Sequence, residues 1–153
     1  MLKKVFNNAG RYYTLGSNPL IHSLGHQILA ELHDCNKDYL DEIEKCREIM
    51  VGAAQAAHAE IRETVFHKFE PQGVSGVVVI SESHLTIHTW PELGYAAVDV
   101  FTCGETVDPW DAIEHIVVEF DAEYVTVLDI NRGMKDLNKL VKGKGRIKSI
   151  EQF

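Results

Sequence analysis

Apolar and polar residues alternate along the chain with two different periods, which separate strands from helices. A period of two predicts strands, and the breaks between them fall at turn sequences such as Pro71-Gln72-Gly73 and Pro91-Glu92-Leu93-Gly94. The predicted strands cover residues 26–34, 63–69, 74–80, 85–90, 95–103 and 123–130. Residues 1–24 show no sustained period and contain Gly-Ser-Asn-Pro, so we expect an irregular N-terminal arm there.

A period of three to four residues predicts two amphipathic helices. The first follows Asn36, a favourable N-cap, and reaches about His58. The second begins at Asp108-Pro109, where the aspartate caps and the proline occupies the first turn. The apolar stripe of the second helix consists of Ile113, Ile116, Val117 and Phe120.

Short turns between consecutive strands favour antiparallel pairing, and two amphipathic helices suffice to cover one face of a sheet. The predicted fold is therefore an α+β two-layer domain, with a mainly antiparallel sheet and both helices on one face. The other face mixes apolar and polar side chains, namely His84, His88, Trp90, Asp99, Phe101 and Cys103. Such a face is too apolar for water and too polar for a core, so we expect a dimer that buries it.

Size and composition are those of one globular domain. The 153 residues are 45% hydrophobic and 25% charged, and no apolar run is long enough to cross a bilayer. The N-terminus lacks the apolar stretch of a secretory signal, so we expect a cytoplasmic location and no membrane partner. The predicted divisions are the arm over 1–24, a domain over 25–133 and a basic tail over 134–153.

The net charge of -8 is unevenly distributed. Residues 132–153 contain seven basic and two acidic residues, which leaves 21 acidic and eight basic residues in the preceding part. An acidic body favours small cationic ligands over nucleic acid, and the tail has no aromatic interleaving. We therefore expect no nucleic-acid partner.

Cysteine and histidine spacings argue against a metal site. The three cysteines have no CxxC spacing. His84 and His88 lie four residues apart on an extended segment, about 13 Å at the usual rise, too far to share one ion. A Gly-x-Ser-x-Gly elbow is also missing. The residues alone leave a cleft near Cys103, His88, a serine and Trp90, with no reaction type determined.

Two long motifs carry a family resemblance. The first is Ile80-Ser81-Glu82-Ser83-His84-Leu85-Thr86-Ile87-His88-Thr89-Trp90-Pro91-Glu92, and the second is Tyr95-Ala96-Ala97-Val98-Asp99-Val100-Phe101-Thr102-Cys103-Gly104. Together with Lys68-Phe69, Gly73-Val74-Ser75-Gly76 and Gly25-His26, they resemble the prokaryotic S-adenosylmethionine decarboxylase proenzymes. The resemblance spans about residues 25–133.

The resemblance implies a self-made cofactor. The Ser83 hydroxyl would attack the carbonyl of Glu82, and elimination and hydrolysis would leave a β chain of residues 1–82 and an α chain beginning with a pyruvoyl group derived from Ser83. Decarboxylation of an α-amino acid needs an electron sink, and a pyruvoyl group is one. The residues themselves do not choose between Ser81 and Ser83, which lie on the same side of an extended strand.

The resemblance also assigns roles to individual residues. Two residues would assist processing: Ser75 would stabilise the tetrahedral intermediate, and His88 would remove the Ser83 α proton. Cys103 would protonate the substrate carbon after carbon dioxide leaves. For substrate binding, Phe69 would stack on adenine, Glu92 would accept hydrogen bonds from the ribose hydroxyls, and Trp90 would stack or merely pack.

The implied product is decarboxylated S-adenosylmethionine, the aminopropyl donor for spermidine, and the implied assembly is a homodimer of cleaved α/β protomers with shared active sites. Two alternatives remain. One is a pyruvoyl-dependent arginine or ornithine decarboxylase with the same fold, and the other is an unprocessed ligand-binding dimer.

Overall fold

A computed structural model describes the backbone of residues 10–15, 23–103 and 106–133, and the side chains from residue 23 onward within those ranges. Residues 1–9 and 16–22 of the predicted arm and the predicted tail over 134–153 lie outside the described residues.

Seven strands of the described chain form one sheet in the order β1-β7-β2-β6-β5-β4-β3. All neighbours pair antiparallel except β1 and β7, which are parallel. The strands are β1 (Gly10–Leu15), β2 (Gly25–His33), β3 (Glu60–Lys68), β4 (Val74–Ser81), β5 (Ser83–Trp90), β6 (Tyr95–Cys103) and β7 (Tyr124–Arg132).

The helices are α1 (Lys37–Asp41), α2 (Ile43–Ala56) and α3 (Pro109–Glu119), with a 3-10 turn over Pro91–Leu93. The predicted caps are confirmed: the Asn36 side chain accepts from two backbone N–H groups of α1, and the Asp108 side chain accepts from the N–H of Trp110.

The single helix predicted after Asn36 is wrong at Glu42, where the chain is extended (φ -98°, ψ 112°). The Glu42 carboxylate accepts a hydrogen bond from the N–H of Glu44 and so caps α2 as a new helix. The preceding Asp41 is held by Lys68 and Gly73 from the sheet. These bonds come from residues that are distant in the sequence, so no local pattern records them. The apolar periodicity continues through the break, and the sequence therefore does not reveal it.

The core lies between one face of the sheet and the helices α2 and α3. Alternate residues of each strand point into it, as in β6, where Ala96, Val98 and Val100 are buried and their neighbours are half-exposed. This is the two-layer α+β arrangement that the alternation predicted. We call the opposite side, which no helix of the described chain covers, the open face.

The expected irregular arm is wrong at Gly10–Leu15, because these residues form β1 and pair with β7 from Gly10 opposite Val125 to Leu15 opposite Ile130. The sheet is therefore mixed rather than wholly antiparallel. The segment Arg-Tyr-Tyr-Thr is rich in strand-forming residues, but it has no alternation. Its pairing partner lies more than a hundred residues later, so local pattern did not reveal it.

A β-bulge divides β3 and explains why the alternation predicted a later start at residue 63. The register with β4 shifts between Ile61 and Glu63, which makes Arg62 the extra residue. The shift lets both Ile61 and Phe66 face the core although they differ in sequence parity. Opposite Phe66 only glycine fits, because a Cβ on Gly76 would lie 2.1 Å from the phenyl ring.

No helix of the described residues is long and apolar enough to span a membrane.

Thr89 provides a test of how the sheet is joined to α1. Its buried hydroxyl (residue exposure 5%) accepts from the N–H of Val74 at 2.8 Å and donates to the carbonyl of Leu40 at 2.8 Å. We expect Thr89→Val to lower the free energy of unfolding by about 1–3 kcal/mol, because a buried donor and acceptor lose their partner while the shape is retained. Urea unfolding measures this change.

The matched control is Thr126→Val, on the half-exposed part of β7, which should change stability by less than about 0.5 kcal/mol. Equal effects of the two substitutions would contradict the role of Thr89.

Candidate active site

Ser75 and His88 form the first part of the site. They face each other on β4 and β5, on the open face, and the Ser75 hydroxyl is hydrogen-bonded to Nδ1 of His88. Strand pairing therefore brings together two residues that are 13 positions apart. With Nδ1 occupied, Nε2 is the nitrogen through which the ring can exchange a proton.

Aromatic rings extend this pair into a platform. Phe69 lies edge-on to His67 (centroids 4.7 Å apart) and to His88 (5.9 Å). On the other side Trp90 lies 4.7 Å from the His88 ring and 5.1 Å from Tyr95. Phe69 is 42% exposed, so the platform presents free aromatic surface to a ligand. The structure thus brings the predicted Phe69, His88 and Trp90 together.

The turn that carries Phe69 is fixed from α1. The Asp41 carboxylate binds the Lys68 ammonium and accepts from the N–H of Gly73 at 2.8 Å, while the N–H of Phe69 donates to the Gly73 carbonyl at 2.8 Å. The hydrogen bond from Lys68, followed by that from Gly73, lowers the pKa of Asp41 below its usual value. A charged Asp41 therefore holds both ends of the turn.

Glu92 lies beside the same turn. It is the middle residue of the 3-10 turn that follows Trp90, and its carboxylate accepts a hydrogen bond from Nε2 of Gln72 at 2.8 Å. Gln72 thus links the turn after Phe69 to the turn after Trp90, and Glu92 joins the end of the sheet that carries Ser75 and His88.

The second part of the site is the turn between β4 and β5. Ile80 pairs with Ser83, so Ser81 and Glu82 form a two-residue turn. On the other side of β5, His84 pairs with Phe101, which places Cys103 beside Glu82 at the end of β6. A cavity of about 410 Å³ opens there, within the range of small-molecule pockets. Its lining residues are His58, Glu60, Ser81, Glu82, Cys103, Thr106 and Val107.

The three cysteines have different surroundings. Cys35 and Cys46 are buried, and burial raises the pKa of each thiol to about 12, which keeps them protonated and unreactive. Cys103 is half-exposed and lines the cavity. Position therefore singles out Cys103 as the thiol available for chemistry. The described residues contain no group of three or more His, Cys, Asp or Glu that could hold a metal ion.

Within one chain the two parts of the site do not meet. Ser83 begins β5 and His88 lies five residues further on the same unbroken strand, about 16 Å away at the usual rise. Their side chains also alternate, so His88 lies on the open face and Ser83 does not. The structure gathers Phe69, Ser75, His88, Trp90 and Glu92 at one end, and Glu82, Ser83 and Cys103 at the other.

Comparison with known proteins decides the family. The family model described as S-adenosylmethionine decarboxylase matches residues 26–133. The chain belongs to the S-adenosylmethionine decarboxylase family.

Individual relatives agree with this assignment. The S-adenosylmethionine decarboxylase proenzyme of Carboxydothermus hydrogenoformans is 61% identical over 114 residues, which cover 74% of this chain and 90% of that protein. The proenzyme of Pelotomaculum thermopropionicum is 63% identical over 111 residues, covering 72% and 88%. The crystal structure of the adenosylmethionine decarboxylase from Aquifex aeolicus has a TM-score of 0.69 at 33% identity and covers 81% of this chain and 98% of that one.

Sequence reasoning missed several residues that shape this decarboxylase site. Asp41 was hidden inside a predicted helix, and Lys68 had no role beyond the resemblance. Glu60 and Arg62 preceded the predicted start of β3. Each of these charged residues acts through a partner that is distant in the sequence. An exposed charged residue belongs to no apolar periodicity, so the sequence pattern does not single it out. His58 lies two residues beyond the end of α2, with a positive φ of 59°, and the sequence marked it only as the approximate end of the predicted helix.

The lowered pKa of Asp41 predicts a pH-dependent effect of Asp41→Asn. A carboxylate with a depressed folded-state pKa stabilises the fold above its unfolded pKa of about 3.9, and this stability is lost as pH falls through the folded-state value. We expect Asp41→Asn to melt below wild type at pH 7, and the difference to shrink below about pH 4. Melting temperatures from pH 7 to pH 3 measure it.

Glu48→Gln is the control, since Glu48 is an exposed carboxylate that pairs with Lys45 within α2. A melting difference for Asp41→Asn that stays constant over the whole pH range would refute the charged clamp.

Proposed function

We propose that the protein is a self-processing, pyruvoyl-dependent decarboxylase that converts S-adenosylmethionine to decarboxylated S-adenosylmethionine, the aminopropyl donor for spermidine. The observation that carries the proposal is the position of the Cys103 thiol beside the Glu82–Ser83 turn, at a cavity of about 410 Å³, in a chain of this family.

The first step is cleavage of the Glu82–Ser83 bond. The Ser83 oxygen attacks the Glu82 carbonyl carbon, and the C–N bond breaks as an ester forms. Removal of the Ser83 α proton then expels the Glu82 carboxylate, and water replaces the nitrogen as ammonia, which leaves the pyruvoyl group. Ser81 is less suited to this attack, because its hydroxyl is bound by Arg62 and Glu60. Ser83 makes no side-chain hydrogen bond with the described residues.

The residues around the turn fit such a group. Ser83 is half-buried at the beginning of β5, and the cavity lined by the preceding Glu82 has room for a ligand. When formed, the pyruvoyl group supplies the electron sink for decarboxylation. Cys103 donates a proton to the substrate carbon after carbon dioxide leaves, a role that a thiol bordering the cavity can perform.

Substrate choice rests on the other end of the sheet. The exposed Phe69 and the neighbouring Trp90 offer surface for stacking on adenine, and the Glu92 carboxylate offers acceptors for ribose hydroxyls. Glu82 gives the cavity a negative group that suits a cationic substrate, whereas the Glu60 carboxylate is paired with Arg62. Arginine or ornithine would use the negative lining but leave the aromatic platform without a function.

Because the two parts lie about 16 Å apart, we propose a dimer in which each site combines both chains. A two-fold axis running across the strands between two open faces places one end of each sheet over the opposite end of the other. Ser75, His88, Phe69 and Glu92 of one protomer would then meet Ser83 and Cys103 of its partner. Glu82, in the turn at residues 81–82, is exposed, so a partner chain can reach the turn.

The polar groups of the open face support its burial. Asp99 accepts from Gln27 at 3.0 Å and from Thr86 at 3.4 Å, and Arg132 donates to Gln27 at 2.8 Å. The Tyr95 hydroxyl donates to the Glu31 carboxylate. Since these groups already have partners within the chain, a second sheet can cover them without leaving them unsatisfied.

The chemistry is tested by intact mass and carbon dioxide release. We expect the purified wild type to consist of fragments 1–82 and 83–153, the latter with no free amino terminus, and to release carbon dioxide from S-adenosylmethionine but not from arginine or ornithine. Ser83→Ala should stay full length and inactive, because it lacks the attacking oxygen.

Cys103→Ala is the matched control, since it keeps Ser83: it should be cleaved normally and decarboxylate poorly. A single full-length, inactive wild-type species would favour the unprocessed ligand-binding dimer. Fragments from Ser83→Ala would move the cleavage site, with Ser81 the first residue to test.

The shared site is tested with mixed dimers. Neither Ser83→Ala nor His88→Ala should be cleaved when expressed alone. When the two are co-expressed with different tags, we expect the His88→Ala chain to be cleaved, because it carries an intact Ser83 and its partner supplies His88. If a mixed dimer forms and its His88→Ala chain stays intact, His88 does not act on the partner.

A further inference from the structure

Glu60, Arg62 and Ser81 form a closed hydrogen-bonded ring directly before the proposed cleavage site. Arg62 donates from Nε to the Ser81 hydroxyl and from Nη2 to the Glu60 carboxylate at 3.1 Å. Ser81 donates to the same carboxylate oxygen at 3.3 Å. Ser81 directly precedes Glu82, so the ring holds the strand end from which the scissile bond extends.

The fold places Arg62 there by means of the bulge in β3. Glu60 pairs directly with Ser81, and Arg62 is the extra residue between Ile61 and Glu63 that has no partner in the β4 register. A bulged residue is free of the regular alternation, and bulges commonly redirect a side chain near a functional site. The Arg62 side chain is 59% exposed, yet it is hydrogen-bonded to Glu60 and to Ser81 rather than extending into solvent.

Cleavage changes the charge beside this ring. Before cleavage, Glu82 contributes one carboxylate and an uncharged peptide group. Afterwards it also carries an α-carboxylate, while the new end of the α chain is uncharged. The carboxylates of Glu60 and Glu82 already line this cavity, so the additional charge needs a cation. Arg62 is bonded to the adjacent residue, and its guanidinium has five N–H donors in a planar fork.

We propose that Arg62 is a positioning residue that holds the Ser81–Ser83 turn for cleavage and then pairs with the Glu82 α-carboxylate that cleavage creates. This inference rests on the proposed self-processing. Arg62 does not touch the reacting atoms in the uncleaved chain. It acts through Ser81 before the reaction and through the new chain end after it.

The first test follows the rate of cleavage. We expect Arg62→Gln to slow the appearance of fragments 1–82 and 83–153 by about tenfold, since two charge-assisted hydrogen bonds are lost. Arg62→Lys should restore part of the rate, because an ammonium keeps the charge but not the fork. Lys45→Gln, which removes a half-exposed cation from α2, should cleave at the wild-type rate.

The second test separates capture of the new carboxylate from general stabilisation. Arg62→Gln is compared in two backgrounds: the fully cleaved protein, after long incubation, and the uncleavable Ser83→Ala chain. We expect its melting temperature to fall about 2–4 °C further in the cleaved protein, because only that background contains the Glu82 α-carboxylate. A purely structural role would give the same decrease in both.

The outcomes separate this inference from the function on which it rests. If wild type itself is not cleaved, the proposed function fails. If wild type is cleaved and Arg62→Gln is cleaved equally fast with an unchanged circular dichroism spectrum, the positioning role of Arg62 is overturned and the function stands. Equal decreases in melting temperature in the two backgrounds overturn the capture of the carboxylate.

Discussion

The hydrogen-bonded ladder of β4, β5 and β6 sets the geometry on which the site depends. It places Ser75 opposite His88 at one end and Cys103 beside Glu82 at the other. A paired central strand cannot fold back on itself without breaking its ladder, so the two ends stay about 16 Å apart. This distance is the reason for the proposed dimer, because groups at one end of a rigid sheet reach the opposite end only on a partner's sheet.

The helices contribute to the site although they lie on the other side of the sheet. Covering one face with α2 and α3 leaves the open face without a helix in the described chain. The end of α1 reaches around the sheet, where Leu40 binds Thr89 and Asp41 binds the turn that carries Phe69. These bonds connect the core to the aromatic platform. They fix the backbone that carries the exposed Phe69 ring. An exposed ring has too few packing contacts to be held in place by packing alone.

Charge organises the opposite end. With Glu60 paired to Arg62, Glu82 makes the cavity negative, which suits a cationic ligand but opposes the creation of another carboxylate. The guanidinium of Arg62, brought beside Ser81 by the bulge, offsets this repulsion. A single extra residue in β3 thus changes which side chains share a face, and it connects the edge of the sheet to the turn where the chain is proposed to break.

Local sequence pattern predicted the alternation of β4, β5 and β6, the caps at Asn36 and Asp108, and the motifs around Ser83 and Cys103 that indicated the family. These features depend on neighbours a few residues away, so one strand or helix is enough to express them. The pairing of β1 with β7, the break at Glu42 and the bulge at Arg62 became visible only in the three-dimensional fold. Each of these depends on a hydrogen-bond partner or a register distant in the chain, and a local pattern of apolar and polar residues carries no record of such a partner.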